Sequence, residues 1–184
     1  KVHPLRVYAY LELGIGAFGL LVLFLVPVIG SLYTSIAGSG QVSLFLRAIV
    51  AGICLIPPTL LMGATLPAIA RYVETTPNGV SWLGYFYAGN LTGAVLGSLV
   101  AGFYLLRVYD MPTATYVAVV LNVAVAFLAL AFANRTTYAA ADHAGDMAVS
   151  TPEARLVYVA IALSGLAALG AEVVWTRQLS LLFG

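Results

Sequence analysis

The sequence predicts an all-α polytopic membrane protein with about five transmembrane helices. Three observations lead there. The 184 residues are 62% hydrophobic and 8% charged, against about 45–50% apolar and about 25% charged in soluble domains. Mean hydropathy is +1.01. The apolar residues also fall into runs that reach the roughly 20 residues a bilayer-crossing helix needs. The lipid bilayer is thus the first expected partner. A net charge of +1 supplies no basic surface for nucleic acid. The single Cys54 lies inside an apolar run, so no disulfide framework exists, and it reads as a small hydrophobe rather than a reactive thiol.

The first expected span runs from about Val7 to Ile29. Glu12 sits about two turns in, Gly14, Gly16 and Gly19 form a small-residue patch, and Pro27 marks the end. An uncharged loop from Gly30 to Gln41 follows. The second span, about Val42 to Ala70, carries Arg47 near its start and Pro57, Pro58 and Pro67 inside. Each proline removes a backbone donor and clashes with the preceding turn, which predicts a kinked helix. Thr59 and Thr65 are candidates to satisfy the freed carbonyls.

A polar turn, Arg71 to Ser81, leads to the third span, about Trp82 to Leu106. Gly89, Gly93, Gly97 and Ala101 recur there every fourth residue, a column almost without side chains on one helix face. In lipid such a column lets a second backbone come close, and these four residues are predicted to pack against another helix. Tyr85, Tyr87, Tyr104 and Tyr109 flank the span as interface aromatics. The span ends at Arg107 to Asp110, and the fourth runs from about Pro112 to Ala133 with Asn122 as its strongly polar residue.

The longest polar segment is Asn134 to Arg155. Its Asp142, His143 and Asp146 read as a solvated loop rather than a metal site, because no further ligands accompany them. Thr151-Pro152-Glu153 reads as a helix start with proline in the first turn. The fifth span, about Leu156 to Gly184, contains Glu172, Trp175, Arg177 and Gln178. An intramembrane carboxylate is costly unless paired. Glu172 could bind a cation, with Trp175 as a cation–π face. A structural ion pair near the outer interface is the favoured alternative, since transporter sites lie near the midplane. Glu172 and Arg177 are about 140° apart around a helix and are poor partners for each other. Arg47 is therefore the expected partner for Glu172, and Arg71 for Glu12.

Lys1, Arg6, Arg71, Arg135 and Arg155 lie on one side of the expected membrane, Arg47, Arg107 and Arg177 on the other. That bias predicts a cytoplasmic N-terminus. Lys1 at the start and Gly184 directly after an apolar run suggest a piece of a longer polypeptide, whose other helices would be further partners.

Leu55 to Glu74 (LIPPTLLMGATLPAIARYVE), Gly79 to Asn90 (GVSWLGYFYAGN) and Gly102 to Tyr116 (GFYLLRVYDMPTATY) resemble the membrane region of the fused major-facilitator/spermidine-synthase family. Leu163 to Gly184 (LSGLAALGAEVVWTRQLSLLFG) resembles the helix that opens a half of that region, and Val2 to Gly16 (VHPLRVYAYLELGIG) its third helix. The resemblance implies that the spans are helices three to seven of a major-facilitator-like bundle. Residues 1–133 would be the remainder of an N-terminal half, 134–155 a cytoplasmic linker, and 156–184 the first helix of a second half. It implies a bacterial inner-membrane protein, transporter-like, handling an amine or similar small solute. The alternative is a non-transporting accessory subunit that packs against a larger membrane complex.

The family's aminopropyltransferase-like domain has no counterpart in this sequence. No strand leads into a Gly-rich loop that opens a helix. No catalytic, cofactor-binding or metal-binding residue is therefore expected, and the chain is not expected to be an enzyme.

Overall fold

The computed structural model describes residues 2–36, 41–73, 79–136, 138 and 152–183. Those residues form α1 (Pro4–Ile36), α2 (Gln41–Val73), α3 (Gly79–Leu99), a π-helical segment (Val100–Leu105), α4 (Leu106–Val108), α5 (Met111–Arg135) and α6 (Pro152–Phe183). Among the described residues there is no strand. Five spans are long and apolar enough to cross a membrane: Pro4–Ser31, Ala48–Val73, Ser81–Val108, Met111–Arg135 and Val159–Leu181. Contacts divide the chain into two units, Lys1–Ala140 and Ala141–Gly184. The division falls inside the polar stretch between α5 and α6.

The helices differ from the sequence expectation in two places. The first span was expected to stop at Pro27, yet α1 runs through it to Ile36. A proline inside a helix frees one carbonyl four residues earlier, here that of Leu23. Ending the helix would free several more, and in an apolar medium continuing it is the cheaper outcome. Ser31 also folds its hydroxyl back onto the Val28 carbonyl at 2.8 Å. The third span ends at Val108, within the stretch where it was expected to end, but changes its winding before it does. From Val100 to Leu105 it is π-helical, and the Leu106 N–H reaches back five residues to the Ala101 carbonyl.

The break before α5 has a local cause. Asp110 takes an extended conformation (φ −117°, ψ 172°) and accepts the Thr113 N–H at 2.9 Å. Pro112 occupies the first turn, where its missing N–H has no helical partner to lose. The Thr113 hydroxyl, then its N–H, hold the Asp110 carboxyl below the ordinary carboxylate range.

In the first unit α1 is the central helix, packed against both α5 and α2. The α1–α5 seam is built from small residues. Ala9 and Ala126 are wholly buried and Ala129 nearly so, with Tyr8, Leu13 and Leu130 around them. A methyl group added at Gly16 would lie 3.7 Å from Asn122 Cβ, and one at Gly19 3.6 Å from Val119 Cγ2. Toward α2, a methyl at Gly14 would lie only 3.0 Å from Leu61 Cδ1. Close backbone approach of this kind gains dispersion contacts without large side chains, the way helices associate in lipid.

Candidate functional site

Polar groups of the first unit gather where the start of α1 meets the ends of α2 and α5. His3 organises them. Its carbonyl accepts the Arg6 N–H at 2.9 Å and the Val7 N–H at 3.3 Å. Its Nδ1 accepts the Leu5 N–H at 3.3 Å, so one side chain caps the first turn of α1. In the tautomer that lets Nδ1 accept, Nε2 carries the proton and faces Thr136 Oγ1 at 3.3 Å. Thr136 in turn donates to the Phe132 carbonyl at 2.9 Å, closing the end of α5. The His3 ring lies 5.8 Å from that of Tyr72, in the last turn of α2, and 5.6 Å from that of Tyr138. Beside it, Arg6 Nη2 donates to Asn134 Oδ1 at 3.1 Å. These contacts tie three helix ends together.

Sequence reasoning counted Arg6 only as a charge and passed over His3, Tyr72, Asn134, Thr136 and Tyr138. Histidine is not a common capping residue, and residues 3 and 136 are joined only by the fold. The one available signal was Pro4 directly after His3, a proline at a first helical position.

One intramembrane charge, Glu12, is placed differently from expectation. Glu12 was expected to pair with Arg71 of another span. Its neighbour is instead the Tyr8 hydroxyl, one turn back on its own helix. Height explains the correction. Arg71 lies in the last turn of α2, level with His3 through its neighbour Tyr72. Glu12 is nine residues further along α1, about 13 Å deeper at 1.5 Å per residue.

Arg47 lies in α2, but its side chain falls outside the described residues, as does the expected pairing with Glu172. On α6, Glu172, Val173, Thr176, Arg177 and Ser180 line one shallow recess. Trp175 does not line that recess, although it stands about 60° from Glu172 around the helix, three residues further on.

Helix α2 continues unbroken through Pro57, Pro58 and Pro67. Pro57 and Pro58 stand near the middle of the span Ala48–Val73. They leave the Ile53 and Cys54 carbonyls without their usual donors. Thr59 and Thr65, expected to satisfy freed carbonyls, serve neighbouring ones. Thr59 Oγ1 lies 2.9 Å from both the Leu55 and Ile56 carbonyls, and Thr65 Oγ1 is 2.7 Å from that of Met62. A hydroxyl three or four residues along can only fold back onto its own turn.

The glycine column of α3 is open. A methyl at Gly89, Gly93 or Gly97 would meet nothing within 4 Å. The expected packing against another helix is therefore not made within the described residues. Ala101, the fourth member, is partly buried. It belongs to the π-helical segment, which touches α5.

Aromatic pairs mark both ends of the third span. Trp82 and Tyr85 rings are 5.9 Å apart, and Tyr104 and Tyr109 rings 6.0 Å apart in an edge-on contact. Trp82 and Tyr104 are about 33 Å apart along a helix, the separation of the two membrane interfaces.

Cys54 is half-buried and free. Among the described residues no three His, Cys, Asp or Glu side chains come together to hold a metal ion. Asp142, His143 and Asp146 lie outside those residues. No family model, curated protein or solved structure matches this chain.

Proposed function

We propose that this chain is the membrane-embedded, transporter-like region of a synthase-fused protein, lying in a bacterial inner membrane with its N-terminus cytoplasmic and handling an amine or similar small solute. The observation that carries this reading is the proline pair at mid-span of α2. Broken backbone pairing at the bilayer midplane is where transporters present carbonyls to a solute. The Ile53 and Cys54 carbonyls are acceptors only, suited to an ammonium group. The resemblance of residues 55–74, which contain the proline pair, to the major-facilitator/synthase family points the same way, with the spans as helices three to seven of that bundle.

The test is uptake of labelled putrescine by proteoliposomes holding the protein. Uptake that falls several-fold in Pro57→Ala/Pro58→Ala, with the protein still inserted, supports the reading. Absence of uptake above empty vesicles overturns it.

The open column Gly89, Gly93 and Gly97 favours a second reading, an accessory subunit covered by a helix of a larger complex. Intact membranes solubilised gently would then yield one stoichiometric partner, released by Gly93→Leu. Either way the chain is not itself an aminopropyltransferase in our proposal. Product formed from labelled cofactor and putrescine, and lost on a substitution within residues 1–184, would contradict that.

A further inference from the structure

The recess on α6 is a continuous face whose two edges carry opposite charges. Successive helical residues are about 100° apart, so Glu172, Thr176, Ser180, Val173 and Arg177 span an arc of about 140° in that order. The same five residues line the recess. Leu169, Leu166 and Ala162 fall within the same arc about one, two and three turns earlier. The arc follows a heptad seam: Val159, Ala162, Leu166, Leu169, Val173, Thr176 and Ser180 are spaced alternately three and four residues apart. Ser180 spends its hydroxyl on the Arg177 carbonyl at 2.9 Å, so it presents mainly its small size to a neighbour.

Glu172 and Arg177 flank this seam five residues apart. Within one helix that spacing separates them. Between two parallel helices it is the spacing of the charge pairs that bracket a coiled-coil seam, where one residue meets the partner residue five further on. Two copies inserted in a membrane with the same topology, related by an axis along the membrane normal, must have parallel α6 helices. Each Glu172 then meets the other copy's Arg177, and both charges inside the span Val159–Leu181 are neutralised. Gly165 and Gly170 hold the same two flanking positions one heptad earlier, where they leave room for close approach. An antiparallel pair would set Glu172 against Glu172.

We propose that α6 is a self-association helix that pairs in parallel with α6 of a second copy, through the Val159–Ser180 seam and reciprocal Glu172–Arg177 contacts. The proposal is independent of whether the protein transports.

The test is disulfide cross-linking of the full chain in native membranes, with Cys54 replaced by serine. Val173→Cys and Leu169→Cys, on the seam, are expected to give covalent dimers on oxidation. Ala171→Cys and Gln178→Cys, on the opposite side, are expected to give none. With Val173→Cys as reporter, Glu172→Arg or Arg177→Glu alone should lower dimer yield several-fold, and the two together should restore it. A partner other than a second copy would not recognise the double exchange. Equal cross-linking from both faces, none from the seam, or failure of the exchange to rescue inserted protein would overturn the proposal. The uncharged cysteine positions decide the geometry even where a charge variant fails to insert.

Discussion

Gly14, Gly16 and Gly19 on α1 and Gly89, Gly93 and Gly97 on α3 are similar surfaces with different fates. The first set is covered, by Leu61 on one side and by Val119 and Asn122 on the other. The second meets nothing within 4 Å. Residue spacing made α3 the stronger candidate, since its glycines repeat in strict register whereas those of α1 do not. The deciding feature is on the opposite helix. Helix α5 offers Ala126, Ala129 and Ala133, spaced to fall on one face, and all three are buried. A bare groove says that a helix can be approached. A second small-residue face is what brings the approach about, because in lipid each helix gives up equally good contacts with acyl chains.

Substitutions should separate the two surfaces. Gly16→Leu would force four extra carbons against Val119 and Asn122, at a cost of about 1–3 kcal/mol. Reversible unfolding in mixed detergent and SDS micelles reads that loss directly. Gly16→Ala should be nearly neutral in the same assay, since the added methyl would sit at ordinary contact distance. Gly14→Ala should cost less than about 1 kcal/mol, because the crowded atom is the tip of the Leu61 side chain and can rotate aside. A larger loss would show Leu61 to be locked in place.

Asp110→Ala should have a smaller effect, confined to the start of α5, visible as faster amide exchange at Thr113 and Ala114. Because the folded carboxyl titrates below its ordinary range, its contribution is present at neutral pH. That contribution is lost as pH falls through and below the usual carboxylate region. Asp110→Asn, which retains the cap acceptor, should remove the pH dependence. Last in the series, Gly93→Leu should leave the stability of the α1–α2–α5 bundle unchanged. A measurable loss would mean that a helix beyond the described residues rests on the column.

Much of this architecture was legible in composition and run length. Five apolar runs became five helices, because a backbone in an apolar medium has few other ways to pair its amides. The polar junction was not legible, since it depends on bringing His3 to Tyr72, Thr136 and Tyr138. Local sequence holds no term for contacts made across so much chain. Glu12 was misassigned for a related reason: opposite charge suggested Arg71, while the vertical offset between them favoured a nearer hydroxyl. The alanine face of α5 was in plain view, but Asn122 drew the attention that polarity usually deserves. In a bilayer the small apolar residues carried the packing.

The π turn at Val100–Leu105 has a consequence for descent as well as for shape. It takes up one more residue than an α-helical turn of the same height. A related chain lacking it would be one residue shorter between Gly97 and Asp110, and the two would align only with a gap inside a membrane span. Gaps are usually confined to loops, so a one-residue gap at this point would be a signature of the winding change, readable in any relative without a structure. Residues on the Gly97 side would keep their faces across such a gap. Residues beyond the wide turn would keep theirs too, because the turn itself absorbs the extra residue.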